Sequence, residues 1–134
     1  MQEVKEHRVF GRLLAHRVNK RYIGSHIIAD FWNCSYEDDH KALLNLLTES
    51  AHVSNAKILS SLSHQFEPCG STAILLLAES HISIHTWPEY NYIAIDVFTC
   101  GHDMKPEAAI KFLKEKLQPQ QVTIKRIQRG RRKA

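Results

Sequence analysis

Residues 72–100 read TAILLLAESHISIHTWPEYNYIAIDVFTC, and this stretch decides the fold. Thr72–Ala78 is a nearly continuous apolar run, as expected of a strand covered on both faces. His81–Trp87 and Tyr92–Cys100 read as two more strands. Pro88-Glu89-Tyr90-Asn91 between them is a hairpin turn. The runs 72–78 and 81–87 are either two strands or one bent strand.

Working outward, residues 56–66 alternate, with Ile58, Ser60, Leu62, His64 and Phe66 on one side. Residues 26–33 are β-rich and predict the first strand. Ser35, with Asp38 three residues on, resembles a capping box. Leu43, Leu44, Leu47 and Ala51 then share one face of a helix over about residues 37–53. Downstream, Pro106 sits in the first turn of a helix whose buried stripe is Ala109, Ile110, Leu113 and Leu117. Val122–Ile127 closes as a last strand. The order is β-α-β-β-β-β-α-β, an α/β fold of the α+β type. It predicts a two-layer sandwich, a mainly antiparallel sheet with two helices on one face. The other face is left partly apolar, which favours dimerisation through that side.

At 134 residues the chain reads as a single domain, 1–134. Its 43% hydrophobic and 24% charged residues place it among ordinary globular proteins. No apolar run approaches the roughly 18 residues of a membrane span, and the start lacks a signal-peptide core. A cytoplasmic location without a membrane partner is expected. Cys34, Cys69 and Cys100 cannot all pair internally, which suits a reducing compartment. The net charge of +4 is uneven: residues 1–21 and 125–133 carry six Lys/Arg each, while 22–124 carries six against twelve Asp/Glu. The basic ends, 1–21 and 128–134, read as solvated tails, so no nucleic-acid partner is expected.

The polar residues of 79–89 need a reason. A serine hydroxyl can attack the peptide carbonyl before it, exchanging the amide for an ester. Loss of the serine Cα proton then expels that ester, and hydrolysis with loss of ammonia leaves a pyruvoyl ketone. Such a ketone forms a Schiff base with a substrate amine and drains electrons during decarboxylation. The job needs a base and an acid, and histidine and cysteine have suitable chemistry. If the hairpin centres near Tyr90, Ser80 faces Cys100 with Cβ atoms roughly 5 Å apart. His85 is five extended residues from Ser80, about 16 Å, and serves it only if the chain bends sharply. His81, His85 and Cys100 can also be read as zinc ligands. In a strand, though, His81 and His85 stand about 13 Å apart, so no metal is expected. His26 and His64 read as structural histidines, Cys34 and Cys69 as small hydrophobes.

Ala78–Tyr90 and Asp96–Gly101, with the weaker Gly24-Ser25-His26 and Phe66-Glu67-Pro68 in order, closely resemble the short prokaryotic S-adenosylmethionine decarboxylase proenzymes. The match runs from about Gly24 to Gln118. The resemblance implies non-hydrolytic cleavage between Glu79 and Ser80, giving a β chain 1–79 and an α chain 80–134 that begins with pyruvoyl. It implies that Ser80 becomes the Schiff-base carbonyl, His85 catalyses processing and Cys100 donates the proton in decarboxylation. Phe66 matches the aromatic that stacks on adenine, near a sulfonium that also favours π faces. The Glu79 backbone matches the contact to the adenine edge, and Glu89 the carboxylate on the ribose. A homodimer of αβ protomers is implied, with sites at or near its interface. The product implied is decarboxylated S-adenosylmethionine plus carbon dioxide, for spermidine synthesis. The chain departs from the family where Gly-Val-Ser-Gly becomes Gly70-Ser71-Thr72-Ala73, putting Thr72 in the processing-assist position. It also has Gln65 for arginine and Asn91 for glycine. The same chemistry on arginine or ornithine, or an unprocessed non-catalytic paralogue, are the alternatives.

Overall fold

A computed structural model describes residues 21–132. The elements run β1 (Gly24–Trp32), α1 (His40–Val53), β2 (Ile58–Gln65), β3 (Ser71–Leu77), β4 (Ser80–Trp87), a 3-10 turn (Pro88–Tyr90), β5 (Tyr92–Thr99), α2 (Pro106–Leu117) and β6 (Gln121–Arg129). They form one sheet in the order β2-β3-β4-β5-β1-β6, antiparallel throughout. The basic N-terminal end lies outside the described residues. Among the described residues no helix is long and apolar enough to cross a membrane.

The run 72–87 resolves into two strands rather than one bent strand. The chain reverses at Ala78-Glu79, so Leu76 pairs with His81 and Thr72 with His85. Helix α1 starts later than its periodicity predicts. Asp39 is the cap, accepting from the Ala42 N–H at 3.2 Å. The predicted box partner, Asp38, is engaged elsewhere.

Alternation puts Ile27, Ala29 and Phe31 of β1, Leu75 and Leu77 of β3, and Ile82 and Ile84 of β4 on one face, where they are buried. Leu43 and Leu47 of α1, with Ala109, Ile110 and Leu113 of α2, complete this core. Truncating a fully buried residue such as Leu75 to alanine costs roughly 2–5 kcal/mol. Among the described residues the opposite face carries no helix. It exposes Leu62 (71%), Leu76 (52%), Ile74, Ile28 and Trp87 around a polar centre. In β2 a bulge between Ile58 and Ser60 switches the alternation, so Ile58 turns to the core while Leu62 turns outward.

Candidate active site

The Glu79–Ser80 junction lies between the end of β3 and the start of β4. Four hydrogen bonds fix its upstream side. Ala78 N–H donates to the Lys57 carbonyl at 2.9 Å, and Glu79 Oε1 accepts from Lys57 N–H at 3.1 Å. The Glu79 carbonyl accepts from Cys100 N–H at 2.9 Å, and also from the Cys100 thiol at 3.1 Å. Ser80 stands at φ 152°, a conformation that costs a residue with a Cβ about 1–3 kcal/mol. Gly101 permits the close approach: a Cβ there would lie 2.7 Å from Glu79 Cγ.

Ser80 faces Thr99, not Cys100 as predicted. Trp87 pairs with Tyr92 across a four-residue turn, Pro88–Asn91, with Asn91 left-handed. An even loop puts the hairpin's centre between two residues, which shifts the register by one. Cys100 thereby comes opposite the Glu79 carbonyl instead.

A second cluster sits at the far end of β4. Thr72 Oγ1 and His85 Nδ1 are hydrogen-bonded at 2.9 Å. With Phe66, Cys69, Trp87 and Glu89 they line a cavity of about 340 Å³. The segment 66–70 that carries Phe66 is tied down by Asp38, which accepts from Gly70 N–H at 2.8 Å, Thr86 Oγ1 at 2.9 Å and Ser71 Oγ at 3.0 Å. Burial pushes Asp38 up, but these bonds, Gly70's first, outweigh it and hold the carboxyl below the usual range. Burial pushes the Cys34 thiol up to about 11, so it stays protonated and unreactive.

The predicted residues therefore fall into two groups. Glu79, Ser80 and Cys100 meet at one end of β4, while Phe66, Thr72, His85 and Glu89 meet at the other. β4 pairs without a bulge from Ser80 to Trp87. The sharp bend that would carry His85 to Ser80 within one chain is absent from this strand, and the two stay about 16 Å apart. His81 and His85 likewise lie along one straight strand, about 13 Å apart.

Between the groups, on the helix-free face, Asp96 Oδ2 receives His26 Nε2 at 2.6 Å and His81 Nε2 at 2.8 Å. Ser83 donates to Asp96 Oδ1. Burial pushes Asp96 up, but the hydrogen bonds from Ser83, His26 and His81 hold it below the usual carboxylate range. Ligand atoms of His26, His81 and Asp96 lie within 4.8 Å of one another, close enough for a metal. However, Arg129 Nη1 donates to His26 Nδ1 at 2.9 Å. Arginine is always a donor, so His26 keeps its proton on Nε2, the nitrogen a metal would need bare.

A sequence model of the S-adenosylmethionine decarboxylase family matches residues 25–130. The chain belongs to that family. A relative from Thermosipho melanesiensis, named S-adenosylmethionine decarboxylase proenzyme, is 40% identical over 111 residues, 81% of this chain and 85% of the relative. One of the same name from Methanococcus maripaludis is 39% identical over 112 residues, 82% of this chain and 92% of the relative. The crystal structure of the adenosylmethionine decarboxylase from Aquifex aeolicus VF5 superposes with a TM-score of 0.77 at 34% identity. It covers 85% of this chain and 96% of that one.

Two features of this S-adenosylmethionine decarboxylase family member escape sequence reading. Asp38 looks like a helix cap yet anchors the loop that presents Phe66. His26 looks structural, and its link to Asp96 spans 70 positions. The signal available was polarity at alternate positions of β1, His26 and Asp30, on a strand otherwise apolar.

Proposed function

We propose that the chain is a self-processing, pyruvoyl-dependent S-adenosylmethionine decarboxylase, forming decarboxylated S-adenosylmethionine and carbon dioxide. The observation that carries this reading is the Glu79–Ser80 junction, a strained serine whose preceding carbonyl receives two donors from Cys100. Ser80 Oγ attacks the Glu79 carbonyl carbon, the peptide C–N bond breaks, and Glu79 is left as an ester on Ser80 beside a free amine. The Cys100 donors steady the charge that develops on the Glu79 oxygen. Removal of the Ser80 Cα proton expels the Glu79 carboxylate, and water then displaces the nitrogen as ammonia.

The surroundings suit a pyruvoyl group at position 80, which opens a strand beside a thiol and needs no further ligand. Once formed, that group supplies the ketone that takes up the substrate amine and draws off electrons as carbon dioxide leaves. Cys100 then returns a proton to the substrate α-carbon. Phe66 offers an exposed ring for the adenine, Glu89 a carboxylate for the ribose hydroxyls, and the Glu79 backbone a partner for the adenine edge.

The active unit is a homodimer of αβ protomers, and each site takes residues from both copies. His85, Thr72, Phe66 and Glu89 cannot reach Ser80 of their own strand. The helix-free face exposes Leu62, Leu76 and Ile74, which favours pairing face to face. A two-fold axis across β4 would bring one copy's His85 end over the partner's Ser80 end. His85, held by Thr72, then takes the Ser80 Cα proton in trans. All three cysteines are free thiols, which suits the cytoplasm.

The test is carbon dioxide release by purified protein offered S-adenosylmethionine, arginine or ornithine in turn. Release from S-adenosylmethionine is expected; release from arginine or ornithine instead would overturn the substrate assignment.

A further inference from the structure

We propose that His81, gripped by Asp96, is a positioning residue that holds the pyruvoyl-bearing end of β4 in place after the chain is cut. The inference rests on self-cleavage at Glu79–Ser80 and adds a role for residues on the far side of that bond.

Before the cut, several bonds fix the junction from its upstream side. The bonds from Ala78 N–H and to Glu79 Oε1, and both Cys100 donors, all act on residues 78 and 79. None needs His81. When the bond breaks, those anchors stay with the other fragment. Residue 80 also changes: conversion to pyruvoyl removes its backbone nitrogen and its hydroxyl, hence every donor it had. The reactive ketone then opens the strand, opposite Thr99 of β5.

His81 is the first side chain that can hold this end. Its Nε2 lies 2.8 Å from Asp96 Oδ2 on the neighbouring strand β5, across from Ser83 rather than from His81 itself. The contact is thus diagonal and ties β4 along its length. Asp96 is a firm post, because Ser83 occupies one oxygen while His26 of β1 shares the other at 2.6 Å. Arg129 of β6 holds His26 from behind, and Phe98 packs against both imidazoles at 5.0 and 5.8 Å between ring centroids. Four adjacent strands therefore converge on the residue next to the ketone. Chemistry there depends on placement to within an ångström, and a displacement of that size costs roughly a hundredfold in rate.

The test replaces His81 in the full chain with leucine, which abolishes the bond, and with glutamine, whose amide nitrogen can stand in for Nε2. Denaturing mass spectrometry gives the extent of cutting, and steady-state assays give kcat and KM. The mass of the α chain after turnover reports how often the proton goes to the pyruvoyl carbon instead. Hydrolysis then leaves the substrate's nitrogen on residue 80 as alanine and releases the decarboxylated substrate as an aldehyde. We expect His81→Leu to be cut, since a cut chain has folded. Its kcat should fall about tenfold to a hundredfold with KM within about threefold of the unchanged protein. The alanine-ended fraction should rise, and His81→Gln should recover most of the loss. Unchanged kcat in His81→Leu, equal defects in both variants, or failure of both to be cut overturns the inference. Failure of the unaltered protein to be cut would instead overturn the self-cleavage on which it rests.

Discussion

Cys100 directs two donors, its backbone N–H at 2.9 Å and its thiol at 3.1 Å, at the carbonyl oxygen of Glu79. One residue thus supplies both arms of a cradle for a developing oxyanion, and its thiol is also positioned beside the group left behind.

Cys100→Ala should therefore act twice. Cutting should slow by about tenfold but not stop, because the backbone donor remains, while loss of a full-strength donor costs 10²–10³. Turnover should fall separately, through loss of the proton donor. A time course of cutting by denaturing electrophoresis, followed by kcat on cut material, separates the two. Normal rates in both would remove the Cys100 thiol from the mechanism.

His85 and Ser80 sit on one straight strand, so on the proposed mechanism they cooperate between copies. His85→Ala and Ser80→Ala should each stay uncut when expressed alone. Mixed and allowed to exchange subunits, the His85→Ala chain should be cut, because the partner supplies His85. No cutting on mixing, with exchange verified, would contradict a site built across two copies.

The element order, the mainly antiparallel sense, the two helices on one face and the partly apolar other face were legible in 72–100 and its flanks, since period-2 and period-3.6 patterns are local. What failed was what depends on counting through a turn or on non-local pairing. The predicted facing of Ser80 and Cys100 missed by one residue because the Pro88–Asn91 loop is even. The bulge after Ile58 moved that residue across the sheet. Asp38 and His26 gained their roles only because β1 lies beside β5 and the 66–70 segment folds back on α1's entry.

Phe66 is half-exposed at the cavity mouth, with the His64 ring edge-on against it. Phe66→Ala should leave folding and cutting intact and weaken nucleoside binding by about 1–3 kcal/mol. Calorimetry with an uncharged adenosine thioether would measure it. Unchanged affinity would contradict the stacking role.

Asp38 makes the pH prediction. Its carboxyl lies below the ordinary value of 3.8 in the folded chain, because hydrogen bonds from Gly70, Thr86, Ser71 and Gln65 outweigh burial. A depressed carboxylate contributes stability that is fully present above the unfolded value and is lost as pH falls through the folded one. Stability should be level above about pH 5 and decline below about pH 4. Asp38→Asn should cost roughly 1–3 kcal/mol at neutral pH and reduce the acid decline, as seen in denaturant midpoints from pH 3 to 7. An acid limb identical to that of the unaltered protein would show that Asp38 does not carry it.

The most direct test is the intact mass of freshly purified protein under denaturing conditions. Two chains are predicted, residues 1–79 and a pyruvoyl-capped 80–134, with Ser80→Ala remaining whole. A single chain of all 134 residues that persists on long incubation would contradict the account.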